Sequence, residues 1–137
     1  MTQTLDQQRA ALAWQYATVG MTQSEDKRCK EYKALAKGAP ALIMNGGLMP
    51  TLAFYADKGT DKNGRFDPDK PASMLLQHLL MGLSARLKPQ PQPKDFCSFM
   101  VHLQEMQSDS YLRHTDEALE ILKWVRQFVD AVDAKEA

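Results

Sequence analysis

The segment from Tyr111 to Val132 leaves this chain few ways to fold. It holds no Gly and no Pro. Wound at about 100° per residue, it places Tyr111, Ala118, Ile121, Leu122, Val125, Phe128, Val129 and Val132 on one face, with Leu119 and Trp124 widening that face on its two sides. Asp116, Glu120, Lys123, Gln127 and Asp130 take the opposite side. A stripe so broad belongs to a helix docked into a core rather than to a coiled-coil seam. The expectation is an all-α chain, a compact bundle of about six to seven helices, in which this long C-terminal helix is a central packing element.

The rest of the chain agrees with that class. Thr4 with Gln7 reads as a capping box, opening a helix to about Gly20. Its main stripe would be Leu5, Leu12, Tyr16 and Val19, with Ala10, Ala13 and Ala17 forming a small-residue strip. Trp14 lies at the far edge of that strip, and Arg9 between the two. A second helix is expected from near Ser24 to Gly38, a fitting C-terminal glycine, with Cys29, Tyr32, Leu35 and Ala36 inward. Pro40 would restart the chain at a first-turn position, Ala41–Met44 being helical until Asn45-Gly46-Gly47 interrupts. Leu48–Asp57 reads as another helix, with Pro50 in its first turn. The Gly-, Asp- and Pro-rich stretch Lys58–Pro71 reads as a loop. Ala72–Lys88 carries a core stripe of Leu76, Leu79, Leu80, Leu83 and Leu87, and a second apolar face with Met74, Met81, Ala85 and His78. A helix apolar on two faces is sandwiched, inside the fold or by a partner. Pro89–Pro93 should stay extended. A helix from about Asp95 to Gln107 follows, with Phe96, Phe99, Met100, Leu103 and Met106 inward, and Ser108–Ser110 leads into the last one. No segment shows sustained period-two alternation.

A chain of 137 residues fits one domain, 1–137, with a core that needs neither disulfide nor metal. No apolar run is long enough to span a bilayer, and no basic start followed by an apolar stretch marks a secretory signal. Cys29 and Cys97 are far apart, as expected of reduced thiols in a cytoplasmic protein. The 17 basic and 17 acidic side chains balance, but residues 1–94 carry a charge of +5 and residues 95–137 one of −5. A neutral chain makes a poor free-standing nucleic-acid binder, because phosphate neutralisation dominates that affinity. The polarity suits head-to-tail stacking on copies of itself, or is ordinary variation along a chain.

Candidate chemistry is sparse. His78, His102 and His114 fall on three different elements and none pairs with another His or a Cys at ligand spacing, so no metal is expected. Asp61-Lys62-Asn63-Gly64 resembles a calcium loop only superficially: Gly59 stands where the first acidic ligand belongs and Lys70 where the bidentate Glu belongs. Gly46-Gly47 lacks the context of a phosphate loop. Cys29 and Cys97 lie on apolar helix faces, where buried thiols are inert, and no nucleophile stands beside a base. No catalytic residue and no cofactor is expected. Lys30, Lys33 and Lys37 share one outer stripe of the second helix; they either track a phosphate backbone or form a solvated face with Glu25, Asp26 and Glu31. Arg9 is either a salt-bridge partner at a buried edge or a groove-facing cation. Trp14, Met74 and Met81, off the main stripes, either fill the bundle or dock a partner.

Two segments reach beyond such patterns. One is Ala41-Leu42-Ile43-Met44-Asn45-Gly46-Gly47-Leu48, continuing Met49-Pro50-Thr51-Leu52-Ala53-Phe54. The other is Tyr111-Leu112-Arg113-His114-Thr115-Asp116-Glu117-Ala118-Leu119, continuing through Leu122, Lys123-Trp124-Val125 and Arg126-Gln127-Phe128. With Gln8-Arg9-Ala10 in the opening helix, their order and spacing resemble the small subunit of the type III-B CRISPR effector, the Cmr complex. The resemblance implies an all-helical subunit without catalytic activity, whose copies stack in a minor filament beside other Cmr subunits and line the channel that holds guide RNA and target RNA. Carried onto this chain it makes Arg9 the best-matched RNA-facing residue, followed by Lys30, Lys33, Lys37 and Arg113. Trp14, Met74 and Met81 then become candidates for the partner interface. The competing expectation is a helical protein–protein adaptor that touches no nucleic acid.

Overall fold

The computed structural model describes residues 2–23, 25–87 and 95–134. Six helices follow one another: α1 (Leu5–Met21), α2 (Asp26–Gly46), α3 (Leu48–Lys58), α4 (Pro71–Arg86), α5 (Phe96–Glu105) and α6 (Ser108–Ala134). Among the described residues there is no strand, only an isolated antiparallel bridge between Thr60 and Phe66 that cinches the loop before α4. The fold is all-α with a long C-terminal helix, as its periodicity requires. The extended linker expected at Pro89–Pro93 lies outside the described residues, as does Ser24, the expected start of α2.

The α6 helix is the spine. Its face of Ala118, Ile121, Leu122, Val125, Val129 and Val132 is buried, while Tyr111, Leu119, Trp124 and Phe128 pack at the edges. Arg9 pairs with Glu117 and Trp14 with Phe128, so α1 runs parallel to α6. Lys33 meets Asp133 and Lys37 meets Asp130, so α2 runs antiparallel to it. Beneath them lies α4, whose Leu75, Leu76, His78, Leu79, Leu80 and Leu83 are all buried. It packs against α1, α2, α3 and α6, which cover its leucine face and His78, while Met81 and Ala85 of its second apolar face stay exposed.

The first helix begins as its capping box demands. The Thr4 hydroxyl accepts from the Gln7 N–H at 3.1 Å, and the Gln7 side chain accepts from the Thr4 N–H at 2.8 Å. Its inward face differs from the expected one. Ala13, Tyr16, Ala17 and Gly20 are buried, while Leu5 and Val19 are exposed. Small residues let α1 approach its neighbours closely, and the dispersion attraction summed along that tight seam outweighs burial of two larger side chains. Gly20 is required there: a Cβ would stand 2.2 Å from the Tyr32 ring.

The second correction concerns α2. Gly38 does not stop it, and Pro40 lies inside a helix that continues to Gly46. An interior proline forfeits one helical hydrogen bond and crowds the carbonyl four residues back, at about 3 kcal/mol. Continuity is favoured because Tyr32, Ala36, Ala39 and Ile43 then share one fully buried face. The break comes at Gly47, whose φ of 97° and ψ of 166° fall in a region open essentially only to glycine. The chain turns there into α3, and Tyr111 Oη accepts the Met49 N–H at 3.1 Å, satisfying an orphan donor of its first turn. A third correction concerns Cys97, which is exposed, whereas Cys29 is half-buried.

Candidate nucleic-acid and partner interface

The fold draws most of the singled-out cations into ion pairs. Arg9 is held by Glu117 in a two-pronged pair, Nε to Oε2 at 2.7 Å and Nη2 to Oε1 at 2.9 Å. The hydrogen bond to Glu117, more than the bare charge, holds its guanidinium protonated above the usual range. Arg86 approaches the same carboxylate at 3.5 Å, near enough for an ion pair but without a hydrogen bond. Glu117 is only 5% exposed and so sits between two guanidiniums at the meeting of α1, α4 and α6.

The lysine stripe divides. Lys33 Nζ reaches Asp133 at 2.9 Å and Asp130 at 3.1 Å, and Lys37 Nζ reaches Asp130 at 2.9 Å. Hydrogen bonds from Lys37 and then Lys33 hold the Asp130 carboxyl below its ordinary value. The hydrogen bonds that Lys33 donates to Asp133 and Asp130 raise its own value. These two lysines bolt α2 to the C-terminal half of α6. Lys30 points away, 78% exposed, its only ion pair among the described residues being the surface one to Asp26 one turn earlier. Arg113 is exposed on the first half of α6.

The bulky residues off the main stripes also divide. Trp14 is 46% exposed and meets Phe128 edge-on, with ring centroids 5.2 Å apart. It borders a shallow groove of about 480 Å³ with Leu12 and Val19. Met81 is exposed on α4, whereas Met74 packs against the core. Trp14 thus belongs to a surface of α1, and the two methionines to α4.

Residues 5–132 match the family model described as CRISPR-associated protein (Cas_Cmr5). The chain belongs to this family. The X-ray crystal structure of a CRISPR-associated Cmr5 family protein from Thermus thermophilus matches with a TM-score of 0.70 at 23% identity, covering 96% of this chain and 98% of that chain. An identity this low speaks for a shared fold. No curated protein matches in sequence. Membership in the Cmr5 family makes the chain a CRISPR-associated subunit that associates with other subunits of the Cmr complex.

Several features of this Cmr5 family member escape sequence reading. Glu117 carries no mark that separates it from the solvated carboxylates around it, yet its position at the edge of the apolar stripe of α6 is a signal. His78 is buried, stacked on Tyr16 at 4.6 Å and joined to Tyr32. His102 and His114, distant in sequence, bring their rings to 6.3 Å beside Phe99. Among the described residues no group of three or more His, Cys, Asp or Glu could hold a metal ion. An apolar groove of about 530 Å³ opens between α3, the loop after it, α4 and α5, with Phe66, Phe96 and Cys97 on its walls. A second groove, of about 460 Å³, lies between α2 and α6, with Met44 and Leu119 beside Lys123 and Arg126. No helix among the described residues is long and apolar enough to cross a membrane.

Proposed function

We propose that this Cmr5 family chain is a non-catalytic, cytoplasmic subunit that stacks with copies of itself in a minor filament of the Cmr complex and helps hold the guide RNA–target RNA duplex. The observation that carries this reading is the family match across residues 5–132. Base pairing reads the sequence, while the protein supports backbone and shape, a division of labour familiar from RNA-guided effectors. Lys30 and Arg113 are the candidates whose charges point outward; Arg9, Lys33 and Lys37 contribute a local field from within their ion pairs. Trp14 and Met81 offer exposed apolar area to neighbouring subunits, whereas Met74, two turns before Met81 on α4, is partly buried against the core and offers less.

A second reading, a protein adaptor without RNA contact, is favoured by one observation: four of the five candidate cations pair with carboxylates of the chain itself, and for Arg9, Lys33 and Lys37 the pair joins two helices. Photo-crosslinking of labelled target RNA in the purified, assembled complex separates the two. The RNA-holding reading expects adducts on this subunit that weaken when Lys30 and Arg113 become Glu. Absence of any adduct, with target retention unchanged in that variant, supports the adaptor.

A further inference from the structure

The outer stripe of α6 changes sign half-way along its length. Asp109, Leu112 and Asp116 occupy its first half, and Lys123 and Arg126 its second, with Leu119 between. All but Leu119, which is half-buried, are exposed. Leu112, at 59%, is among the most exposed large apolar side chains of the described fold. Neither Asp116 nor Arg126 has an ion-pair partner among the described residues, and Lys123 has only Glu120, 3.5 Å away on the same exposed surface. Asp130, further along, is already neutralised by Lys33 and Lys37.

A stripe that is acidic at one end and basic at the other complements itself when a second copy is laid against it in reverse. Leu112 lies seven residues before Leu119 and Arg126 seven after; Asp116 lies three before and Lys123 four after. We propose that two free copies of this chain pair through α6, antiparallel, about a two-fold axis at Leu119. Asp116 then faces Lys123 of the second copy, twice by symmetry. Leu112 lies over the stem of the second copy's Arg126, at the mouth of the groove that Met44 and Leu119 line beside it. Helix axes about 8–10 Å apart bring such side chains into contact. The pairing goes beyond the role in the complex: it concerns the unassembled subunit, and it closes on itself where a head-to-tail stack stays open. An interface resting on one helix falls below about 1,200 Å², so the pair is weak and loosens as salt screens its charges.

Sedimentation of the free chain over a wide concentration range, at low and high salt, tests the pairing. A dimer is expected at high concentration and low salt. Asp116→Lys should weaken it at least about tenfold, since two attractive pairs become repulsive, and adding Lys123→Asp should restore it. A residue on the axis meets its own copy, so Leu119→Cys in a Cys29→Ser, Cys97→Ser background should give a disulfide-linked dimer under mild oxidation. Circular dichroism confirms that each variant is helical. A chain monomeric at every concentration, a dimer indifferent to Asp116→Lys, or failure of the Leu119→Cys variant to link overturns the proposal. None of these measurements involves RNA or other subunits, so the outcome is independent of the crosslinking result for the assembled complex.

Discussion

The hydroxyl oxygen of Tyr32 lies 2.7 Å from Nδ1 of His78, joining α2 to α4 inside the core. Burial pushes the Tyr32 phenol above its ordinary range, so it stays protonated and donates. Burial also lowers His78 to about 4, so the imidazole is neutral and accepts.

That pair makes stability depend on pH. Unfolded, His78 takes up a proton near pH 6.5; folded, it resists until about pH 4. Its contribution is fully present above pH 6.5 and is lost as pH falls toward 4, by about 3 kcal/mol in all. Urea denaturation at pH 7, 5.5 and 4 should show this slope, and His78→Gln should flatten it. An equal slope in the variant would assign the loss to carboxylates instead.

Glu117 should be the most sensitive charged position. Replacing it with Gln removes the counter-charge of Arg9 and Arg86 and should cost about 3 kcal/mol, the lower end for a broken buried pair because both arginines keep some access to water. Replacing Arg9 with Met and Glu117 with Leu together should cost less than the sum of the single changes. A double-mutant cycle in urea reads the coupling.

Two glycines should respond in opposite directions to the same substitution. Gly20→Ala drives a methyl into the Tyr32 ring and should destabilise by about 1–3 kcal/mol through forced repacking. Gly38 lies within α2, with nothing within 4 Å of an added Cβ. Gly38→Ala should stabilise by about 0.5–1 kcal/mol. Thermal melts of the two variants check both signs.

The junction between α2 and α3 should depend on Tyr111. Tyr111→Phe deletes the acceptor of the Met49 N–H and should cost about 1 kcal/mol, with amide exchange at Met49 rising more than exchange in the core. Uniform acceleration across the fold would mean that the bond matters only to global stability.

What could be read from the chain beforehand follows from which forces act locally. The face of α6 and the cap at Thr4 were legible because periodicity and capping are settled within a few residues. Gly38 and Pro40 misled because they carry a local preference for ending a helix, and the buried row of Tyr32, Ala36, Ala39 and Ile43 is a tertiary gain that overrides it. On α1, side-chain size pointed to Leu5 and Val19, while close approach to the neighbouring helices selected Ala13, Ala17 and Gly20, the last against Tyr32. The Lys30–Lys33–Lys37 stripe was legible as a stripe. That Lys33 and Lys37 answer Asp130 and Asp133 was not, since those carboxylates lie about a hundred residues away in sequence. The role of Glu117 was hidden for the same reason, since its partners Arg9 and Arg86 lie on other helices.

The parallel pairing of α1 with α6 sets a condition on how the fold is reached. During synthesis α1 emerges, and four more helices follow it, before the long surface of α6 against which its alanine strip rests. Until then Ala13 and Ala17 have too little side chain to hold α1 in place, and Trp14 waits for Phe128. Chains that stop short of α6 should therefore stay open to proteolysis, and the native state should be reached only once α6 has docked.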